Sequence, residues 1–143
     1  MRWLALSLGV LALAGCKDDP KAIECGCKSG VFATGESCHC VLQVAETKPL
    51  RRRMFSSFIK QAHDVALDGT VTVQKGTVKV WIEDKTNARH EVTVKAGEPV
   101  KLVGRPGAET SAGSDDVTFS FYVQAVGGQA EGVTVDFEYH VGE

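Results

Sequence analysis

Cys25-Gly26-Cys27 and Cys38-His39-Cys40 are the residues whose type and spacing carry the most chemistry in this chain. The stretch between them, Lys28 to Ser37, holds Gly30 and Gly35, so it can fold back as a hairpin. Folding there sets Cys25 opposite Cys40 and Cys27 opposite Cys38. Opposed residues of an antiparallel pair lie about 4.5–5.5 Å apart at Cα, within the span of a disulfide. Two disulfides, 25–40 and 27–38, are the expected state. The crossed pairing, 25–38 with 27–40, is its competitor, because four cysteines allow three connectivities. A four-thiolate zinc site is the rival chemistry, although zinc usually takes a C-x₂₋₄-C spacing. A redox centre fits less well, since C-x-C is not the thioredoxin-like C-x-x-C.

The remaining chemistry-bearing residues are scattered. His39, His63, His90 and His140 have no partner at a ligand spacing, and His90-Glu91 lacks the second His of a zinc-protease helix. Solvated or hydrogen-bonded imidazoles are the simpler reading. Asp115-Asp116 lacks the alternating oxygen ligands of a calcium loop. The chain contains no G-x-S-x-G elbow, P-loop or dinucleotide fingerprint, so no catalytic residue, metal or cofactor is assigned. Arg51-Arg52-Arg53 is the one basic run; it fits a solvated strand end, with anionic lipid or lipopolysaccharide as the functional rival. Trp81 and Tyr122 fall on the outward side of their strands. Aromatics so placed either stack on sugars or are covered by a neighbouring loop.

The elements that must position these residues read as strands. Alternation runs through Val71 and Val73, then Val78, Val80 and Ile82, then Val92 and Val94, then Val100 and Leu102. The longest stripes are Val117 to Ala125 and Val133 to Val141. Period two with one apolar face marks half-buried antiparallel strands. A tight turn at Lys75-Gly76 predicts pairing of Val73 with Val78 and Val71 with Val80. A turn at Gly127-Gly128 likewise predicts pairing of Val123 with Val135 and Phe121 with Phe137. Gly104 to Asp116 reads as a long mobile loop. Residues 50–67 fit a helical stripe through Leu50, Met54, Phe58 and Val65, yet also fit two strands at 54–60 and 63–67.

Fifteen glycines against four prolines suit many short strands and turns. Net charge is −2, with no concentrated basic surface, so nucleic acid is not an expected partner. The N-terminus has a different composition. Met1-Arg2-Trp3 is followed by an apolar run from Leu4 to Ala14, too short for a hydrocarbon core of about 30 Å. That order is the layout of a secretory signal. Leu13-Ala14-Gly15-Cys16 resembles the lipobox of bacterial lipoproteins at all four positions. The resemblance implies cleavage before Cys16, a diacylglyceryl thioether on its sulfur, and acylation of the new amino group. Lys17, in place of the Asp that retains lipoproteins in the inner membrane, favours the outer membrane where the host has two. Removing Arg2 with the signal moves the net charge to −3. Export also places the four remaining cysteines where thiols oxidise, which favours the disulfides over zinc.

The stretch from Phe55 to Val141 resembles small exported GOLD-like sandwiches. It does so through Val71, Val73, Gly76, Val78, Val80, Ile82 and Asp84, and through Gly132, Val133, Val135, Phe137 and Tyr139. That likeness implies a fold, not an activity, and turns 54–60 and 63–67 toward strands. The expected organisation is a signal peptide at 1–15, a flexible tether at 16–24, a Cys-rich hairpin at 25–40 and a β-sandwich at 41–143. The fold class is all-β: an antiparallel β-sandwich preceded by a disulfide-stapled hairpin. The expected function is a non-catalytic binding or structural role in the cell envelope. The chain would be held to the membrane by the lipid on Cys16, with an envelope protein or surface polysaccharide as partner. An envelope enzyme, gathering His90 or His140 with a carboxylate, and a metal carrier using the four cysteines are the competing functions.

Overall fold

The computed structural model describes residues 23–29, 35–44, 48–60, 64–110, 113 and 116–141, and their side chains except at 23, 29, 55–60, 116 and 141. Cys16 with its lipobox, residues 17–22 of the tether, His63 and Asp115 lie outside the described residues. No helix among the described residues is long and apolar enough to cross a membrane.

The fold is an antiparallel β-sandwich. Its strands are β1 (Ile23–Ser29), β2 (Gly35–Val44), β3 (Leu50–Lys60), β4 (Val65–Thr72), β5 (Thr77–Glu83), β6 (Arg89–Lys95), β7 (Val100–Gly104), β8 (Glu109–Thr110), β9 (Asp116–Ala125) and β10 (Ala130–Val141). The first sheet runs β1-β2-β10-β4-β7 and the second β3-β9-β5-β6, with β8 also pairing β9. The strand reading of residues 50–67 is the correct one, although β3 starts at Leu50 and β4 at Val65. The expected long loop after Gly104 is interrupted by β8, which pairs Glu109 with Thr118 and Thr110 with Val117.

Alternation sends one residue in two to the interior. Leu42, Val71, Val135 and Phe137 come from the first sheet and Val80, Val117, Phe119 and Phe121 from the second, all buried. All four expected pairings are corrected: Val78 pairs with Val94 and Ala125, not Val73, and Val123 pairs with Leu50 and Val80, not Val135. β4 and β5 lie in different sheets, and so do β9 and β10. Val71 pairs with Val100 and Val135, not Val80, and Phe137 pairs with Cys38 and Gly69, not Phe121. The turns at Gly76 and Gly127-Gly128 are therefore arches that carry the chain from one sheet to the other.

The physical reason is that mirrored apolar stripes can share one face of a hairpin or meet across a core. Here the second arrangement closes the core: the Phe121 and Phe137 rings meet edge-on at 5.8 Å between centroids. The two arches lie side by side, joined by Lys75 N to Glu131 O at 3.0 Å and Glu131 N to Lys75 O at 2.9 Å. Gly76 has φ +89, and a Cβ there would stand 2.9 Å from the Gln129 carbonyl oxygen. A side chain at that position would both strain the turn and push the arches apart.

Candidate functional site

The cysteine hairpin forms as the spacing predicts. Cys25 opposes Cys40 and Cys27 opposes Cys38 in the β1–β2 register, and both pairs are disulfides. All four sulfurs are thus consumed in S–S bonds, and none is a thiolate that could hold zinc. β2 runs unbroken from Gly35 to Val44 and pairs with β10 over most of that length, so the stapled hairpin is continuous with the first sheet.

Register brings together residues that the sequence leaves apart. On the outer face of the first sheet, His39 of β2 stands opposite Asp136 of β10, and its Nδ1 hydrogen-bonds the Asp136 carboxylate. Beside them Ser37 Oγ donates to Glu138 at 3.4 Å, and Lys101 Nζ meets Asp68 at 3.4 Å. These groups line a shallow groove of about 510 Å³. The Ser37 hydroxyl turns to Glu138, not to the imidazole, so the nucleophile–base hydrogen bond of a hydrolytic site is not made. The polar side chains of this groove mostly satisfy one another.

The second sheet presents a different outer surface. The pleat splits the basic run: Arg51 and Arg53 point outward, while Arg52 turns inward opposite Phe121. Half-buried, Arg52 keeps a buried Nε with no hydrogen-bond partner among the described residues. Arg51 donates from Nε to Ser120 Oγ at 3.1 Å, and its guanidinium lies 6.0 Å from the Tyr122 ring centroid. Tyr122 stacks on Trp81 at 5.4 Å with an interplanar angle of 7°, and Arg89 caps Trp81 at 4.2 Å. Four planar groups thus form one row, Arg51, Tyr122, Trp81 and Arg89. Trp81 is left only 2% exposed, covered by side chains where a loop was the expected cover. Both of its faces are occupied, so it offers no platform to a sugar. Its buried Nε1 has no hydrogen-bond partner among the described residues.

Next to this row the second sheet opens. β5 pairs with β9 only as far as Trp81 and Tyr122, and β8 joins β9 only at Val117 and Thr118. The gap is a polar cleft of about 360 Å³ whose lining includes Ser120 and Tyr122 together with the charged residues Arg51, Glu83, Asp84, Lys85 and Glu109. Gly107 N donates to Glu83 O at 2.8 Å, which docks the loop before β8 against the end of β5. Asp84 fixes the β5–β6 turn: its Oδ1 accepts from Thr86 N at 2.8 Å, Thr86 Oγ1 at 2.6 Å and Ala88 N at 3.0 Å. The Thr86 hydroxyl contributes most to lowering the Asp84 carboxyl from 3.8 to about 2. Partial desolvation opposes it, and the Ala88 and Thr86 N–H groups and His90 add to the lowering. His90 Nε2 stands 3.5 Å from Asp84 Oδ2, so one of the two histidines considered for catalysis does meet a carboxylate. That carboxylate is already committed to holding the turn. His140 lies exposed on the outer side of β10.

No family model matches the chain, and no curated protein matches it in sequence. Among solved structures, an oxalate oxidase is similar at 12% identity, over 94% of this chain and 59% of that one, with a TM-score of 0.48. Peruvianin-I, a cysteine peptidase from Thevetia peruviana latex, is similar at 13% identity over 99% and 83%, with a TM-score of 0.43. TmCBM61 in complex with beta-1,4-galactotriose gives 13% identity, 87% and 84% coverage and a TM-score of 0.42. The chain spans little more than half the length of the oxalate oxidase chains it matches, 59% and 54%. Likeness at this level carries no argument about function.

Proposed function

We propose that this protein is a lipid-anchored component of the cell envelope with a non-catalytic, binding or structural role. The observation that carries the reading is the order of features along the chain. A lipobox at Leu13 to Cys16 is followed within ten residues by a strand stapled twice to the body of the sandwich, at Cys25–Cys40 and Cys27–Cys38. A lipid on Cys16 would load the fold through β1, an edge strand, and the two disulfides join that strand covalently to β2. Two or more acyl chains hold stably where a single chain is marginal, so acylation of both sulfur and amino group suits a permanent tether. The outer membrane is the favoured location where the host has two membranes, and an envelope protein or surface polysaccharide is the partner class. The polar outer faces of both sheets leave surface for it.

The test is metabolic labelling with a palmitate analogue, comparing the native chain with Cys16→Ser. Label on the native protein, absent from the variant, with the variant released from membranes, supports the reading. An unlabelled native protein that still fractionates with membranes overturns it.

A further inference from the structure

The strand register fixes which end of the sandwich receives the chain from Cys16. Ile23, the first residue of β1, pairs with Leu42 near the end of β2, and Leu42 pairs with Val133 near the start of β10. Leu50 opens β3 at this same end, Lys95 closes β6 there opposite Thr77, and both arches cross it. The Cys25–Cys40 bridge follows close behind Ile23, so the entry point is fixed to the body of the fold. Fully extended, the stretch from Cys16 to Ile23 reaches at most about 25 Å. β10 alone runs 12 residues, about 36 Å at ordinary strand rise. A lipid on Cys16 would therefore keep the arch end near the headgroups, and the far end could not be the one that rests on them.

We propose that the arch end of the sandwich docks on an anionic phospholipid surface, with Lys48, Lys75 and Lys95 against the headgroups and Val126 among them. The proposal rests on the lipid-anchor reading above and gives the anchored fold an orientation and a lipid class. All three lysines are exposed. In the described connections at this end, at 48–49, 73–76, 96–99 and 126–129, Glu98 is the one carboxylate. Glu24 and Glu131, in the second positions of β1 and β10, are balanced by Arg51 and Lys101 in the second positions of β3 and β7, which leaves the lysines in excess. Glu131 approaches Lys75 only to 4.0 Å, and the Lys75 side chain stays 77% exposed. The far end is mixed in sign: Glu83, Asp84 and Glu109 stand there with Lys85, Arg89 and Arg105, and Lys85 is paired with Asp64. Val126, 42% exposed, begins the β9–β10 arch, and an apolar side chain between lysines suits the boundary of headgroups and acyl chains. Each basic residue at an anionic surface favours the docked state by about fivefold, an attraction that fades within about 8 Å in physiological salt. The tether supplies the local concentration that a few charges alone lack.

The experiment reads lysine acylation by a water-soluble reagent, located by peptide mass spectrometry, on the full protein isolated from its native membrane. It is reconstituted into vesicles of phosphatidylethanolamine with phosphatidylglycerol, or of phosphatidylcholine alone. Lys48, Lys75 and Lys95 are expected to react about fivefold or more slowly on the anionic vesicles, with the difference lost in high salt. Lys28, toward the hairpin tip, and Lys85, at the far end, should react equally on both. Lys75→Gln with Lys95→Gln, both at exposed positions, should release Lys48 to the rate seen on phosphatidylcholine. Equal rates at every lysine, or slowing at Lys85, in protein that floats with both vesicles would overturn the docking face and leave the anchor standing. Unchanged slowing of Lys48 in the double variant would also overturn it. Protein that fails to float with phosphatidylcholine vesicles would overturn the anchor reading and, with it, this orientation.

Discussion

Removing the Phe121 ring should unfold this sandwich more readily than any surface change, because Phe121 belongs to a cluster that joins the two sheets. The ring is 1% exposed and meets Phe137 edge-on at 68° and 5.8 Å, while Phe119 meets Tyr139 at 4.8 Å beside it. An aromatic side chain buries about 150–250 Å², and at about 25 cal/mol/Å² its loss forfeits about 4 kcal/mol once the part retained by alanine is discounted. Phe→Ala changes in cores cost about 3–5 kcal/mol, in agreement. For a domain of this size each kcal/mol moves the melting temperature by about 4 °C, so Phe121→Ala should melt about 15 °C lower. Phe137→Ala should cost a similar amount. The two should be coupled by about 0.5–1.5 kcal/mol in a double-mutant cycle, the value of an edge-on aromatic pair beyond its area. Urea denaturation of the disulfide-intact protein gives all three quantities. A single-mutant cost below about 1.5 kcal/mol, or a coupling of zero, would refute a core closed by these rings.

Three further outcomes follow from the same structure. The non-reduced protein should weigh four hydrogens less than its thiol form and carry no zinc, and removing the Cys25–Cys40 bridge, a separation of 15, should cost about 3 kcal/mol in chemical denaturation. Residues 16–143 hold one tryptophan, Trp81, so Arg89→Ala should raise acrylamide quenching of tryptophan fluorescence in a chain of those residues by uncapping that ring; unchanged quenching would mean Arg89 does not cover it. Asp84 has a carboxyl lowered to about 2, so its contribution to stability is fully present above its ordinary value near 3.8 and is lost as pH falls through about 2. Asp84→Asn should flatten the stability–pH curve in that window, as read by thermal melts at matched ionic strength.

The strands were legible because period-two alternation is local: Val117 to Ala125 shows its buried face within nine residues. The disulfides were legible for the same reason, since separations of 15 and 11 leave a single hairpin to consider. The sheet assignment was not. Val71 and Val80, or Phe121 and Phe137, are mirrored about a glycine turn in either geometry, and the choice between hairpin and arch is made by distant partners. Phe137 takes Cys38 and Gly69 as neighbours, and no local pattern announces them. His39 and Asp136 are 97 residues apart and meet only through the β2–β10 register. The polar cleft was invisible for a related reason, because it exists where β5 stops pairing with β9 and β8 has not yet begun.

The proposed lipid-anchored role is tested most directly by the mass of the N-terminal peptide of the protein isolated from its native membrane. The account predicts a peptide that begins at Cys16 and carries diacylglycerol on sulfur and an acyl chain on the amino group. A peptide that begins at Met1, or one that begins near Cys16 with an unmodified sulfur, would contradict it.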